Sequence, residues 1–226
     1  SDVCSSDLIS YPGGYEERTG NMLKRMCASD TQQLAAYLES RTEDIDCDII
    51  AKVSTILQDV KTRKDEAVKD YTQRFDGIVM DELRVAREEV ETAAARADTF
   101  FVESMKKAKE NIAYYHNAQK QNGYLLQKEL GIYLGQRVLP LDSVGIYVPG
   151  GRAQYPSSVL MNAIPARIAG VKRIVMITPP AKDGSLHPNI AAAARIAGVD
   201  EIYKVGGAQG IAALAYGKIG RASCRE

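Results

Sequence analysis

The side chains best able to do chemistry are scarce in this sequence. Its 226 residues hold two histidines, His116 and His187, and four cysteines, Cys4, Cys27, Cys47 and Cys224. A zinc cage needs three or four ligands at short spacing, and no Cys-x-x-Cys pair occurs. A general base needs a second group to orient it. Neither His116, which follows Tyr114 and Tyr115, nor His187, which precedes Pro188, has such a group in view along the chain. Cys27 and Cys47 read as ordinary buried or half-buried thiols. No catalytic residue and no metal ligand is therefore assigned.

The remaining signal is a pair of glycine turns. Pro149-Gly150-Gly151 and Val205-Gly206-Gly207-Ala208-Gln209 each follow a run of apolar, β-branched residues and precede a helical pattern. Glycines at such turns let a ligand approach the backbone, and the helix behind them offers unpaired amides to a phosphate. That favours a nucleotide. Tyr147 could stack on an aromatic base, and Gln209 could hydrogen-bond an amide or a ribose hydroxyl, but each could equally serve only the fold. The spacing is not G-x-G-x-x-G, and tight turns without a ligand explain these glycines as well.

The elements that must position these residues fall into two textures. From Thr31 to about Asn122 the pattern is helical throughout. Leu34, Tyr37 and Leu38 share one face of a short helix, and Asp48 can cap a helix carrying Ile49, Ile50, Val53, Ile56, Leu57 and Val60. Tyr71 and Phe75 continue that stripe to Gly77, with a break expected near Lys64. A further helical region opens near Glu88. From Asp98 to Gln119 the spacing of Phe101, Met105, Ala108, Ile112 and Tyr115 gives a narrow stripe that needs a partner helix, in this subunit or in a second one.

Beyond Gly123 the pattern changes. Tyr124 to Lys128 and Ile132 to Leu139, separated by Gly131, read as a hairpin. Strand and helix then alternate: Val144 to Val148; a helix capped by Ser157 or Ser158 and kinked at Pro165; Ile174 to Thr178; Ile190 to Ala197; Ile202 to Val205; Ala208 to Ala215. Such alternation means an α/β fold with a parallel sheet and crossover helices, and ligands in such sheets sit at the carboxyl ends of the strands. The expected organisation is a helical amino-terminal region, 9–123, followed by an incomplete Rossmann-like α/β domain, 124–217.

Composition narrows the function further. Lysine plus arginine equals aspartate plus glutamate, 29 each, so no overall field recruits nucleic acid or an anionic membrane. The longest uncharged stretches, Ala153 to Ala166 and Val205 to Gly217, fall short of the roughly eighteen apolar residues of a membrane helix. Back-translated, Asp2 to Asp7 and Ile219 to Arg225 each match one frame of a synthetic oligonucleotide used to prepare sequencing libraries. Segments 1–8 and 218–226 are accordingly expected to be adapter-derived tails, and Cys4 and Cys224 then carry no meaning.

The stretch VGIYVPGGRAQYPSSVLMNAIPARIAGVKRIVMITPP, Val144 to Pro180, resembles the histidinol dehydrogenase family, and IAGVDEIYKVGGAQGIAALAYG continues the likeness to Gly217. DVKTRKDEAVKDYTQRFDG and AKENIAYYHNAQK resemble it less sharply. The resemblance implies the amino-terminal half of a cytoplasmic, homodimeric enzyme of histidine biosynthesis. Such an enzyme oxidises L-histidinol to L-histidine through the aldehyde, with two hydride transfers to NAD. It further implies that Tyr147 and Gln209 contact NAD, with Gly150, Gly151, Gly206 and Gly207 as backbone contacts. The family's Glu-His acid/base pair and its zinc and substrate ligands would lie downstream, so this chain alone is expected to be inactive.

Two departures from the family pattern stand out. Lys64 replaces a glycine in an Arg-Gly-Asp-Glu-Ala turn, costing roughly 1 kcal/mol if the turn needs positive φ. Gly210 replaces an alanine and should loosen its helix by up to about 1 kcal/mol. Competing expectations are a non-enzymatic nucleotide-binding or helical interaction module and an NAD(P)-dependent enzyme of aldehyde dehydrogenase type. A sheet ending after its third crossover helix should leave an unpaired edge and aggregate.

Overall fold

The computed structural model describes residues 31–39, 47–150 and 154–217. The expected adapter-derived tails, Cys27 and Gly151 lie outside them. Helix α1 (Thr31–Glu39) carries Leu34, Tyr37 and Leu38 as expected and belongs to a unit of its own that ends at Asp46.

The second unit begins at Cys47. Its first helices are α2 (Cys47–Arg63) and α3 (Asp65–Asp76), followed by α4 (Arg87–Ala95) and α5 (Thr99–Ala118). Asp48 lies inside the first turn of α2 rather than ahead of it, where its charge still suits the helix dipole. Cys47 is exposed, not buried or half-buried as expected. Asp98 caps α5 by accepting from the Phe101 amide at 3.1 Å. The α5 stripe finds its partner within the chain: Phe101, Met105, Ala108 and Ile112 pack on the core beside α6 and α7. Tyr115 does not join them and stays 62% exposed.

The hairpin forms from β1 (Tyr124–Glu129) and β2 (Ile132–Gln136), turning at Gly131. The second strand stops at Gln136, before Leu139. The sheet follows as β3 (Ser143–Tyr147), β4 (Arg173–Thr178) and β5 (Glu201–Lys204), parallel in the order β3-β4-β5. Its helices are α6 (Pro156–Ala169), α7 (Pro188–Ala197) and α8 (Gly207–Ala215). Tyr155, not Ser157 or Ser158, is the N-cap of α6, because Pro156 already supplies the helical φ of the first turn. Pro165 lies inside α6 without ending it.

The sheet separates two apolar layers, as the alternation of strand side chains requires. Ile146, Ile174, Met176 and Ile202 pack on one side with residues of α4 to α7, and Ile177 and Val205 on the other with α2, α3 and α8. Each fully buried Ile or Leu contributes about 1.5–3 kcal/mol. One expectation needs correction. Residues 77–86 are not helical, and Leu83 to Val85 run antiparallel beside β5: the Lys204 amide donates to the Leu83 carbonyl at 2.7 Å and the Val85 amide to the Ile202 carbonyl at 2.9 Å. The edge of β5 is thus covered by the segment between α3 and α4, while β3 pairs only with β4 among the described residues.

Candidate functional site

The glycine turns meet at the carboxyl end of the sheet. Tyr147 is the last residue of β3 and sits opposite Ile177. The Val148 amide still donates to the Ile177 carbonyl at 2.9 Å, and Pro149, which has no N–H, ends the ladder. The Tyr147 ring is half-buried against the layer formed by α2, α3 and α8, so the core orients it.

Two strands away, Gly206 is the N-cap of α8 and supplies no side chain to close the first turn. The amides of that turn are therefore available to an anionic group. Gly207 has φ +63°, which glycine adopts without penalty, and a methyl group there would lie 2.6 Å from Gln209 Oε1. Gln209 is folded back over this turn. It is only 1% exposed, and its Oε1 has no hydrogen-bond partner within the chain. A buried, unpaired amide oxygen costs about 1–3 kcal/mol, so a donor brought by a ligand would be favoured there.

The other two described glycines of the turns lie against Pro179. A methyl group on Gly206 would lie 2.5 Å from Pro179 Cγ, and one on Gly150 would lie 3.3 Å from Pro179 Cδ. Packing against Pro179 leaves no room for a side chain at Gly206 and only tight room at Gly150. Pro179 is the first residue after β4.

The histidines have structural partners. His187 is the N-cap of α7, its Nδ1 accepting from the Asn189 amide at 3.2 Å, and His116 Nδ1 lies 2.6 Å from Gln119 Oε1. Neither joins the glycine turns as an acid or base. Asp76, ending α3, has a buried carboxylate oxygen without a partner, and burial pushes its carboxyl above the ordinary range. Among the described residues no group of three His, Cys, Asp or Glu could hold a metal ion. No helix among them is long and apolar enough to cross a membrane.

A family model described as histidinol dehydrogenase matches residues 39–224. The chain is 51% identical over 185 residues to a histidinol dehydrogenase of Listeria innocua, a match covering 82% of this chain and 42% of that one. It is 56% identical over 165 residues to one from Geobacillus kaustophilus, covering 73% and 39%. The crystal structure of histidinol dehydrogenase from Elizabethkingia anophelis superposes with a TM-score of 0.71 at 35% identity, covering 78% of this chain and 40% of that one. The chain thus spans about two fifths of the length of the relatives it matches.

Proposed function

Because the chain belongs to the histidinol dehydrogenase family, we propose that it forms part of the NAD-binding surface of an enzyme that oxidises L-histidinol to L-histidine through the aldehyde. The observation that carries this reading is the buried, unpartnered Oε1 of Gln209 at the open amino end of α8, on the same sheet end as Tyr147. NAD, when bound, would supply the hydride acceptor, one molecule for the alcohol carbon and a second for the hydrated aldehyde.

This chain's own residues would bind and orient. Tyr147 offers the uncovered side of its ring to a planar base or nicotinamide. Gln209 Oε1 accepts from a carboxamide N–H or a ribose hydroxyl, and the first-turn amides of α8 donate to phosphate oxygens. Gly150, Gly206 and Gly207 keep the backbone low beneath the ligand, and Gly151 is proposed in the same role by its place in the motif. Reaching Gln209 requires its side chain to rotate out of the turn.

Proton transfer and zinc binding fall outside these residues. The sequence contains no Glu-His dipeptide, and the described carboxylates and histidines do not converge. We infer that acid/base and zinc chemistry belong to the part of the family's length this chain does not span, that the whole enzyme is a cytoplasmic homodimer, and that this chain alone produces no NADH from histidinol. Calorimetric titration with NAD tests the surface. Saturable binding is expected, weakened about tenfold by Gln209→Ala and by Tyr147→Ala. Absence of saturable binding up to about 10 mM NAD, or affinity unchanged in both variants, would overturn the reading.

A further inference from the structure

The two outer strands of the sheet deliver their turns to a single side chain. Pro179 is the first residue after the central strand β4. A methyl group on Gly206 would lie 2.5 Å from its Cγ, 3.2 Å from its Cβ and 3.3 Å from its Cδ. A methyl group on Gly150 would lie 3.3 Å from its Cδ and 3.4 Å from its carbonyl oxygen. One pyrrolidine ring therefore lies against the turn after β3 and the turn after β5, filling the space a side chain at Gly206 would need and crowding it at Gly150. Ending β4 does not require it, because Pro180 also lacks an N–H.

We propose that Pro179 is a positioning residue that sets the separation between the Tyr147–Gly150 turn and the start of α8, and so the placement of Tyr147 relative to Gln209. The inference rests on the cofactor reading above. The ring is suited to this because its φ is locked and it has no side-chain rotamers to lose, so both contacts are held without an entropic cost at binding. A ligand that engages Tyr147 and Gln209 together then loses less to ordering the two turns, and only the Gln209 side chain has to move.

The test compares the chain with Pro179→Ala, Gly206→Ala and the double variant, by amide NMR shifts of Val148 and Gly150, by NAD titration and by thermal denaturation. In the presence of Pro179, the Gly206→Ala methyl must push the ring, so the Val148 and Gly150 amides on the far turn should shift. With Pro179→Ala, which removes Cγ and Cδ, the same substitution should leave them nearly unmoved. NAD affinity is expected to fall about tenfold in each single variant, and the double variant to lose less than the product of the two. Far-turn shifts that do not depend on Pro179, or NAD losses that simply multiply, would sink the proposal. An affinity loss matched by a lowered melting temperature, without the far-turn shifts, would assign the proline a merely structural role. If the far-turn coupling appears but the unsubstituted chain does not bind NAD, the clamp stands and the cofactor reading falls.

Discussion

Lys64 sits between α2 and α3 with φ 58° and ψ −127°, a backbone region that only glycine adopts freely. The positive φ suspected from its place in the motif is present. We expect Lys64→Gly to stabilise the chain by about 1–2 kcal/mol, a rise of about 3–6 °C in melting temperature for a domain of this size. A lower melting temperature would refute this. Gly210 behaves differently. A methyl group there would lie 2.9 Å from Ile177 Cδ1 and 3.3 Å from Val205 Cγ2, because α8 lies close on the sheet. The helix-propensity gain of Gly210→Ala, up to about 1 kcal/mol, is therefore set against an overpacking cost of about 1–3 kcal/mol. Thermal denaturation should show a net loss for Gly210→Ala and recovery of part of it in the double variant with Ile177→Val, which removes the clashing methyl.

At the scale of elements, the segment Leu83–Val85 is tied to the sheet by charge as well as backbone. Glu201 on β5 accepts from Arg173 Nε at 2.8 Å and from the Tyr203 hydroxyl at 2.9 Å, with Arg84 of the added segment 3.7 Å away. Burial alone would raise the Glu201 carboxyl, but those hydrogen bonds and the charges of Arg173 and Arg84 outweigh it, and the group titrates below the ordinary carboxylate range. A depressed folded value means the stabilisation is present above the unfolded value, about 4.3, and lost as pH falls through the lower folded one. Glu201→Gln should cost stability at pH 7 and flatten the acid side of the stability profile. An acid limb unchanged from the parent chain would count against the network. Sequence periodicity did not reveal this junction, since a short extended segment pairing at long range leaves no repeat to read. The elements with strong local signals, α5 with its Asp98 cap and the β3–α6–β4–α7–β5–α8 alternation, were legible because their apolar periods match the faces they bury.

At the scale of the whole molecule, apolar surface and an unpaired strand edge remain open. The hairpin β1–β2 is exposed along both strands, with Leu125 at 70% and Leu130 at 97%, and the outer edge of β3 has no neighbour among the described residues. A two-stranded hairpin is marginal without a packed face, and an open strand edge is a template for pairing. We expect the isolated chain to associate as its concentration rises, seen by light scattering. A monodisperse monomer with one sharp unfolding transition would contradict this.

The sequence by itself determined the α/β alternation, the two glycine turns, Tyr147 and Gln209 as the polar groups beside them, and through its motifs the family. These are local patterns, spelled by neighbouring residues. Tertiary structure alone decided that Leu83–Val85 extends the sheet, that His116 and His187 serve as structural hydrogen-bond partners, and that Gln209 buries an unpaired oxygen. It also decided that Pro179 occupies the side-chain space at Gly206 and crowds it at Gly150. The Leu83–Val85 pairing and the Pro179 contacts join distant parts of the chain, while the histidine and Gln209 arrangements, though local in sequence, depend on side-chain placements and burial that the assembled fold sets.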